Sequence, residues 1–223
     1  LALSGNYDLT YVGDDLTIGA RAIEVTADPQ SKTYGDADPA LTYQITNGSL
    51  VGTDSCTSAL TRNVGEDVGD YAITQDTLAL SGNYDLTYVG DDLTIAKVSL
   101  SAKADDKSKE AGTSDPAFTI AYSGFKFSDD PTALDTAPTA SVSGAHEAVG
   151  HYPIVVSGGL DNNYDFSYTD GTLTVVDTTA PAVPSATPPA GDYMTDQMVA
   201  LSSSDGGSGV DGIYYTLDGS VPD

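Results

Sequence analysis

Eighteen consecutive residues, LALSGNYDLTYVGDDLTI, occupy positions 1–18 and return unchanged at 78–95, 77 positions later. An internal copy of that length constrains the chain more than its composition does, because self-similarity at a fixed period marks a string of like units. A third, diverged copy runs through Asn163-Tyr164-Asp165-Phe166-Ser167-Tyr168 and Thr172-Leu173-Thr174-Val175. Other landmarks keep the period. Ser31-Lys32, Gly35 and Asp38-Pro39 recur 77 positions on as Ser108-Lys109, Gly112 and Asp115-Pro116. Gly69-Asp70-Tyr71 returns 81 positions on as Gly150-His151-Tyr152. The spacing predicts the closing hairpin of a truncated module over 1–19 and whole modules over 20–95 and 96–176.

Comparing the copies exposes the local structure. Tyr84, Leu86, Tyr88, Leu93 and Ile95 become Tyr164, Phe166, Tyr168, Leu173 and Val175, while Val89 and Gly90 change freely to Thr169 and Asp170. Apolar character kept at every second position is the period of a half-buried strand. Gly90-Asp91-Asp92 and Thr169-Asp170-Gly171 supply turn chemistry, so each copy is predicted to close its module as a β-hairpin. Alternating strands are also expected at Ile23–Val25, Val98–Ala102, Leu41–Ile45, Phe118–Tyr122, Tyr71–Thr74 and Tyr152–Val156. Pro153 marks the last of these as an edge strand. One helical turn near Ser49–Asp54 is the only helix expected. The fold class is mostly β: small tandem modules strung as an elongated rod.

Charge then excludes partners. Lys and Arg number 8 against 33 Asp and Glu, a formal charge of −25. Phosphate backbones and anionic membranes both require clustered Lys and Arg, so nucleic acid and membrane surfaces are excluded as partners. Residues 20–95 carry 12 acidic and 3 basic side chains, net −9, and residues 96–175 carry 11 and 5, net −6. Neighbouring modules therefore repel, which favours reach over collapse. Hydrophobic content of 39% with 14 Tyr is too rich for a solvated coil. The single Cys56 permits no internal disulfide and reads as a small core filler. No apolar run approaches the roughly 18 residues that span a bilayer.

The pattern Ala27-Asp28, Ser31-Lys32-Thr33-Tyr34-Gly35-Asp36-Ala37-Asp38-Pro39, Gly69-Asp70-Tyr71-Ala72-Ile73, Asn83-Tyr84-Asp85-Leu86 and Leu93-Thr94-Ile95 resembles the MBG (YGX-type) domain. The resemblance implies a β-rich module found in tandem in large bacterial surface and adhesin-like proteins, with no catalytic residues. The later module departs from it: Lys109-Glu110-Ala111-Gly112 stands where Lys32-Thr33-Tyr34-Gly35 carries the Tyr. After Val176 a Pro-rich stretch over 177–189 reads as a semi-rigid linker. Beyond it, Gly191-Asp192-Tyr193, Val199-Ala200-Leu201 and Ile213-Tyr214-Tyr215-Thr216-Leu217-Asp218-Gly219 resemble the β-sandwich appended to chitobiase-type hexosaminidases. That resemblance implies a partial Ig-like sandwich over 190–223, with a strand over Ile213–Leu217.

Three constellations suggest chemistry and fail on geometry. His146-Glu147-Ala148-Val149-Gly150-His151 looks like a zinc-protease motif, but the histidines are five apart where one helical face needs four, and Gly150 and Pro153 oppose a helix. It reads as a turn entering a strand. Gly206-Gly207-Ser208-Gly209-Val210-Asp211-Gly212-Ile213 fits one calcium β-helix nonapeptide, whose ligands come from stacked copies. A structural calcium ion held by Asp205 and Asp211 is the weaker remaining reading. Asn83-Tyr84 and Asn163-Tyr164 read as turn entry plus core aromatic.

No catalytic, cofactor-binding or metal residue is therefore expected. The sequence favours a non-catalytic spacer or stalk segment of a long extracellular or cell-surface repeat protein, with neighbouring repeats as partners. The alternative is an accessory region of a secreted carbohydrate-active enzyme whose catalytic domain lies outside 1–223, with polysaccharide as partner. Direct adhesion by the modules is the third reading.

Overall fold

In both repeats, an alternating run lays down the first strand and a second, less apolar strand follows at once. The structure is a computed structural model that describes residues 5–216 and Ser220. Two compact units divide it, Leu1–Ala96 and Lys97–Asp223.

The first unit contains β1 (Arg21–Ala27), β2 (Gln30–Thr33), β3 (Tyr43–Asn47), β4 (Thr61–Arg62), β5 (Gly69–Thr74), β6 (Tyr84–Val89) and β7 (Asp91–Ala96). These form a three-stranded sheet, β3-β1-β6, and a four-stranded sheet, β2-β7-β5-β4. Ile23, Val25 and Ala27 of β1 join Ile73 of β5 and Leu93 of β7 in one buried cluster, so the two sheets face each other across a shared core. The second unit repeats the plan with β8 (Val98–Ala104), β9 (Lys107–Glu110), β10 (Ile120–Ser123), β11 (Thr139–Ser141), β12 (Gly150–Ser157), β13 (Tyr164–Thr169) and β14 (Gly171–Val176). Its sheets are β10-β8-β13 and β11-β12-β14-β9. Ala102 and Ala104 pack on Ile154, Val156, Leu173 and Val175. Val25 has shrunk to Ala102, while Leu86 has grown to Phe166, which packs on the same core; the exchange keeps the interior filled.

The expected hairpin is overturned. β6 pairs in parallel with β1, and β7 pairs with β2 and β5 in the other sheet. Arg21 faces Tyr84 and Lys32 faces Ile95, 63 positions apart at both ends. The first two strands and the last two thus form one parallel ribbon that crosses between sheets without slipping register. In the second unit Val98 faces Tyr164 and Lys109 faces Val175, 66 apart at both ends. Gly90 serves the crossing and makes no hairpin turn: a Cβ there would sit 3.0 Å from the Ile73 carbonyl. At Gly171 it would sit 2.8 Å from the Ala104 carbonyl.

Three further expectations need correcting. β12 lies inside its sheet, between β11 and β14, and tolerates Pro153 because β11 ends opposite Val155 and leaves position 153 unpaired on that side. The Ser49–Asp54 stretch forms a turn closed by the Asp54 amide on the Val51 carbonyl. The Pro-rich linker contributes a strand, β15 (Ser185–Thr187), which pairs with β16 (Ala200–Ser202). Of the sandwich expected over 190–223, the described residues show this two-stranded sheet. Ile213–Thr216 is irregular, and Leu217 lies outside the described residues.

The opening copy behaves unlike its twin. Of its expected hairpin, residues 7–19 form no strand, and residues 1–4 lie outside the described residues. Leu16 is 88% exposed where the identical Leu93 is fully buried. Substitution should separate the two: Leu93→Ala should cost the first module about 2–5 kcal/mol, whereas Leu16→Ala should stay within about 0.5 kcal/mol. Denaturant-dependent hydrogen exchange resolved to residues 20–95 measures both.

Candidate functional site

The sequence gives β2 and β9 little apolar character, yet each sends one side chain inward, and in both it is a lysine. Lys32 and Lys109 occupy the third position of strands whose burial alternates identically. Their side chains are 4% and 2% exposed. A buried ammonium demands partners for its donors. Lys32 Nζ donates to Asp38 Oδ1 at 2.7 Å, Glu66 Oε2 at 2.5 Å and the Asp36 carbonyl at 3.2 Å. Arg62 of β4 closes the cluster. Its Nε and Nη2 grip both oxygens of Asp38 at 2.7 and 3.0 Å, and Nη2 also reaches Glu66 Oε1 at 2.6 Å. Nη1 donates to the carbonyls of Asn63 and Gly65, and the guanidinium lies 5.3 Å over the Tyr71 ring. Two cations meet two anions, and β2 is tied to the loop entering β5. In a module without a disulfide this is an electrostatic staple.

The second module keeps the lysine and both acids but changes the fourth member. Lys109 Nζ donates to Asp115 Oδ1 at 2.9 Å, Glu147 Oε1 at 3.2 Å and the Thr113 carbonyl at 3.1 Å. Arg62 has no counterpart there. His146 stands in, with Nε2 2.8 Å from Asp115 Oδ2 and Nδ1 2.7 Å from the Gly144 carbonyl. His151, the other half of the zinc-like motif, sits on β12 facing Thr174 Oγ1 at 3.1 Å, apart from this cluster. The motif therefore reads as a bend entering β12. Asp115, His146 and Glu147 are a three-donor group of a spacing that would suit a metal, but the Lys109 ammonium already sits against both carboxylates as their cation.

The electrostatics follow the contacts. Hydrogen bonds from Arg62, then Lys32, hold Asp38 down to about 2. Burial pulls Lys32 downward, but its bonds to Asp38 and Glu66 prevail and leave it above its ordinary value. Bonds to Asp115 and Glu147 likewise raise Lys109. Both lysines are thus held as ammonium groups, which are not nucleophiles.

A second recurring contact involves the Asn-Tyr pairs. Tyr84 and Tyr164 are buried, as a core aromatic should be, and each hydroxyl donates at 2.6 Å to a loop carboxylate, Asp54 Oδ2 or Asp129 Oδ2. Each also accepts an amide at 2.9 Å, from Val51 or Lys126. Burial, then the bond to Asp129, pushes Tyr164 up to about 12. Cys56 is half-buried against the first core. Asp205 accepts the Gly207 amide at 3.0 Å, and it and Asp211 join no three-donor group among the described residues.

The same fold, the same lysine staple and the same tyrosine anchor thus occur twice in one chain. The profile of the MBG domain (YGX type) matches residues 23–94 and 100–174. The chain belongs to the MBG domain family. No curated protein matches it. Within the MBG module of residues 23–94, Tyr34 of the Tyr-Gly pair is buried and Gly35 takes a positive φ of 81°. The MBG module of residues 100–174 carries Ala111 there and keeps Gly112, at φ 74°. Beside Ala111, Glu110 accepts the Thr178 amide at 2.5 Å, pinning the start of the Pro-rich stretch to the module.

Two outcomes test the staple. Asp38→Ala leaves a buried ammonium short of a partner and should cost the first MBG module about 1–3 kcal/mol. Lys32→Met should cost less, since Asp38 and Glu66 keep Arg62 and an apolar chain of similar volume fills the site. Denaturant titration with exchange readout ranks the two. Asp38 also sets an acid limit. Its folded value lies below the unfolded one of about 3.9, so its contribution is complete above that pH and is lost as pH falls toward 2. Melting curves between pH 5 and pH 2 should show the first module weakening over that window.

Proposed function

We propose that the chain is a non-catalytic spacer segment of an extracellular or cell-surface repeat protein. MBG domains are typical of such proteins. The observation that carries the reading is the staple. In each module a buried lysine is held between two carboxylates at the rim, which fastens the sheets and keeps that lysine a charged structural tie, with no free amine to act as nucleophile. Each module has its own core, so modules can be added in series without redesigning an interior. Like negative charge on neighbouring modules makes them repel, which favours reach over collapse.

One observation favours the alternative, an accessory region of a secreted carbohydrate-active enzyme that sits on polysaccharide. A shallow hollow of about 230 Å³ is lined by Lys97, Asp165, Phe166 and Tyr168, and the last two rings stack 5.9 Å apart. Aromatic faces beside charged groups suit a sugar ring. The chitobiase-type resemblance of residues 190–223 points the same way.

Small-angle scattering separates the readings. A compact globule of 223 residues has a radius of gyration of about 17 Å. The spacer reading expects a value well above that and no retention on immobilised polysaccharides. A compact particle retained on a glycan would replace it with the alternative.

A further inference from the structure

The two staples differ at one member, and the difference is chemical. Arg62 is charged at every pH a protein meets. His146 is not, and its setting dictates which form fits. Both ring nitrogens face groups that only accept: the Gly144 carbonyl at Nδ1 and the Asp115 carboxylate at Nε2. A neutral imidazole has one proton to give. With that proton on Nδ1, the lone pair of Nε2 points at a carboxylate oxygen 2.8 Å away. With it on Nε2, the lone pair of Nδ1 points at a carbonyl 2.7 Å away. The imidazolium alone satisfies both contacts.

We propose that His146 is a proton-operated clip, absent from the first module, which holds the loop before β12 closed as the imidazolium and releases it when the ring loses its proton. The groups around it are accounted for. Lys109 of β9 shares Asp115, Glu147 follows in sequence and binds Lys109, and Tyr152 of β12 stands edge-on at 6.1 Å with its hydroxyl on the Ala148 carbonyl. With the imidazolium, two cations face two carboxylates, as in the first module. Without it, Lys109 faces both carboxylates alone.

The two copies align across this loop. Counting back from Tyr71 and Tyr152, Glu147 aligns with Glu66, while Ser143 stands where Arg62 would be and His146 where Gly65 would be. At Gly65 a Cβ would meet the Tyr71 ring at 2.1 Å, so the first module as it stands has no room for a side chain there. The bond to Asp115, then that to Gly144, raises His146 above its ordinary value of about 6.5. A group raised on folding stabilises fully below its unfolded value and loses that effect as pH climbs through the folded one. The clip therefore opens as pH climbs past the ordinary histidine range. This inference holds whichever job the modules perform.

Hydrogen-exchange mass spectrometry on the whole chain, corrected for intrinsic rates and run with a chelator, reads the clip directly. Protection of residues 139–157 should fall severalfold from pH 6 to pH 9, while residues 61–74 hold theirs. His146→Gln should lose that protection already at pH 6, and His146→Arg should keep it at both. Nitrogen-15 shifts of the wild-type ring should show both nitrogens protonated at pH 6, whatever the variants do. A neutral ring at pH 6, parallel behaviour of the two modules, or an indifferent His146→Gln would overturn the proposal.

Discussion

Each module depends on its beginning and its end running side by side. β1 and β2 pair in parallel with β6 and β7, and the shared register carries through the crossing from one sheet to the other. Parallel pairing of segments 63 positions apart is a long-range contact whose loop-closure entropy is offset only when both sheets have formed. It forces everything between, β3 to β5 and their loops, to be gathered around one core. It also aligns Lys32 opposite Ile95, so the staple sits where the second sheet closes.

The staple completes what the small core cannot. A unit of this size buries a modest apolar area, and neither module has a disulfide. The ammonium is taken out of water while its carboxylates stay at the rim, 42% and 51% exposed in the first module. Desolvation therefore falls mainly on the cations, and the three donors of Lys32 are all satisfied. The second module keeps this geometry although its fourth member comes from a different loop position. The aspartate of each staple thus takes a second nitrogen partner from either an arginine or a histidine.

Where burial follows apolar alternation, the sequence was readable. β1, β8, β5 and β12 lie where Ile23, Leu100, Ile73 and Ile154 face inward, and the segments around Tyr84 and Leu93 are strands. β2 and β9 were illegible because their inward residue is a lysine, which reads as exposed until its partners are known. The recurrence of Ser-Lys and Asp-Pro at one spacing was the available signal for the staple. Arg62 and His146 carried none, since they come from non-equivalent positions. The turn letters at Gly90 suggested a hairpin, because tight turns and close backbone crossings both select glycine.

The opening eighteen letters divide what sequence determined from what structure decided. Sequence alone set the strand period, the module length and the face on which Tyr84, Leu86 and Tyr88 lie, since these follow from the order of apolar and polar residues along one segment. It did not set whether that segment becomes a strand. Residues 84–95 form two half-buried strands because β1, β2 and β5 supply hydrogen bonds and apolar surface on both sheets. Residues 7–18 carry the same letters, pair with no described strand and leave Tyr11, Leu16 and Ile18 in water. A β-strand's backbone bonds lie outside its own segment, so its partners, not its letters, decide the outcome.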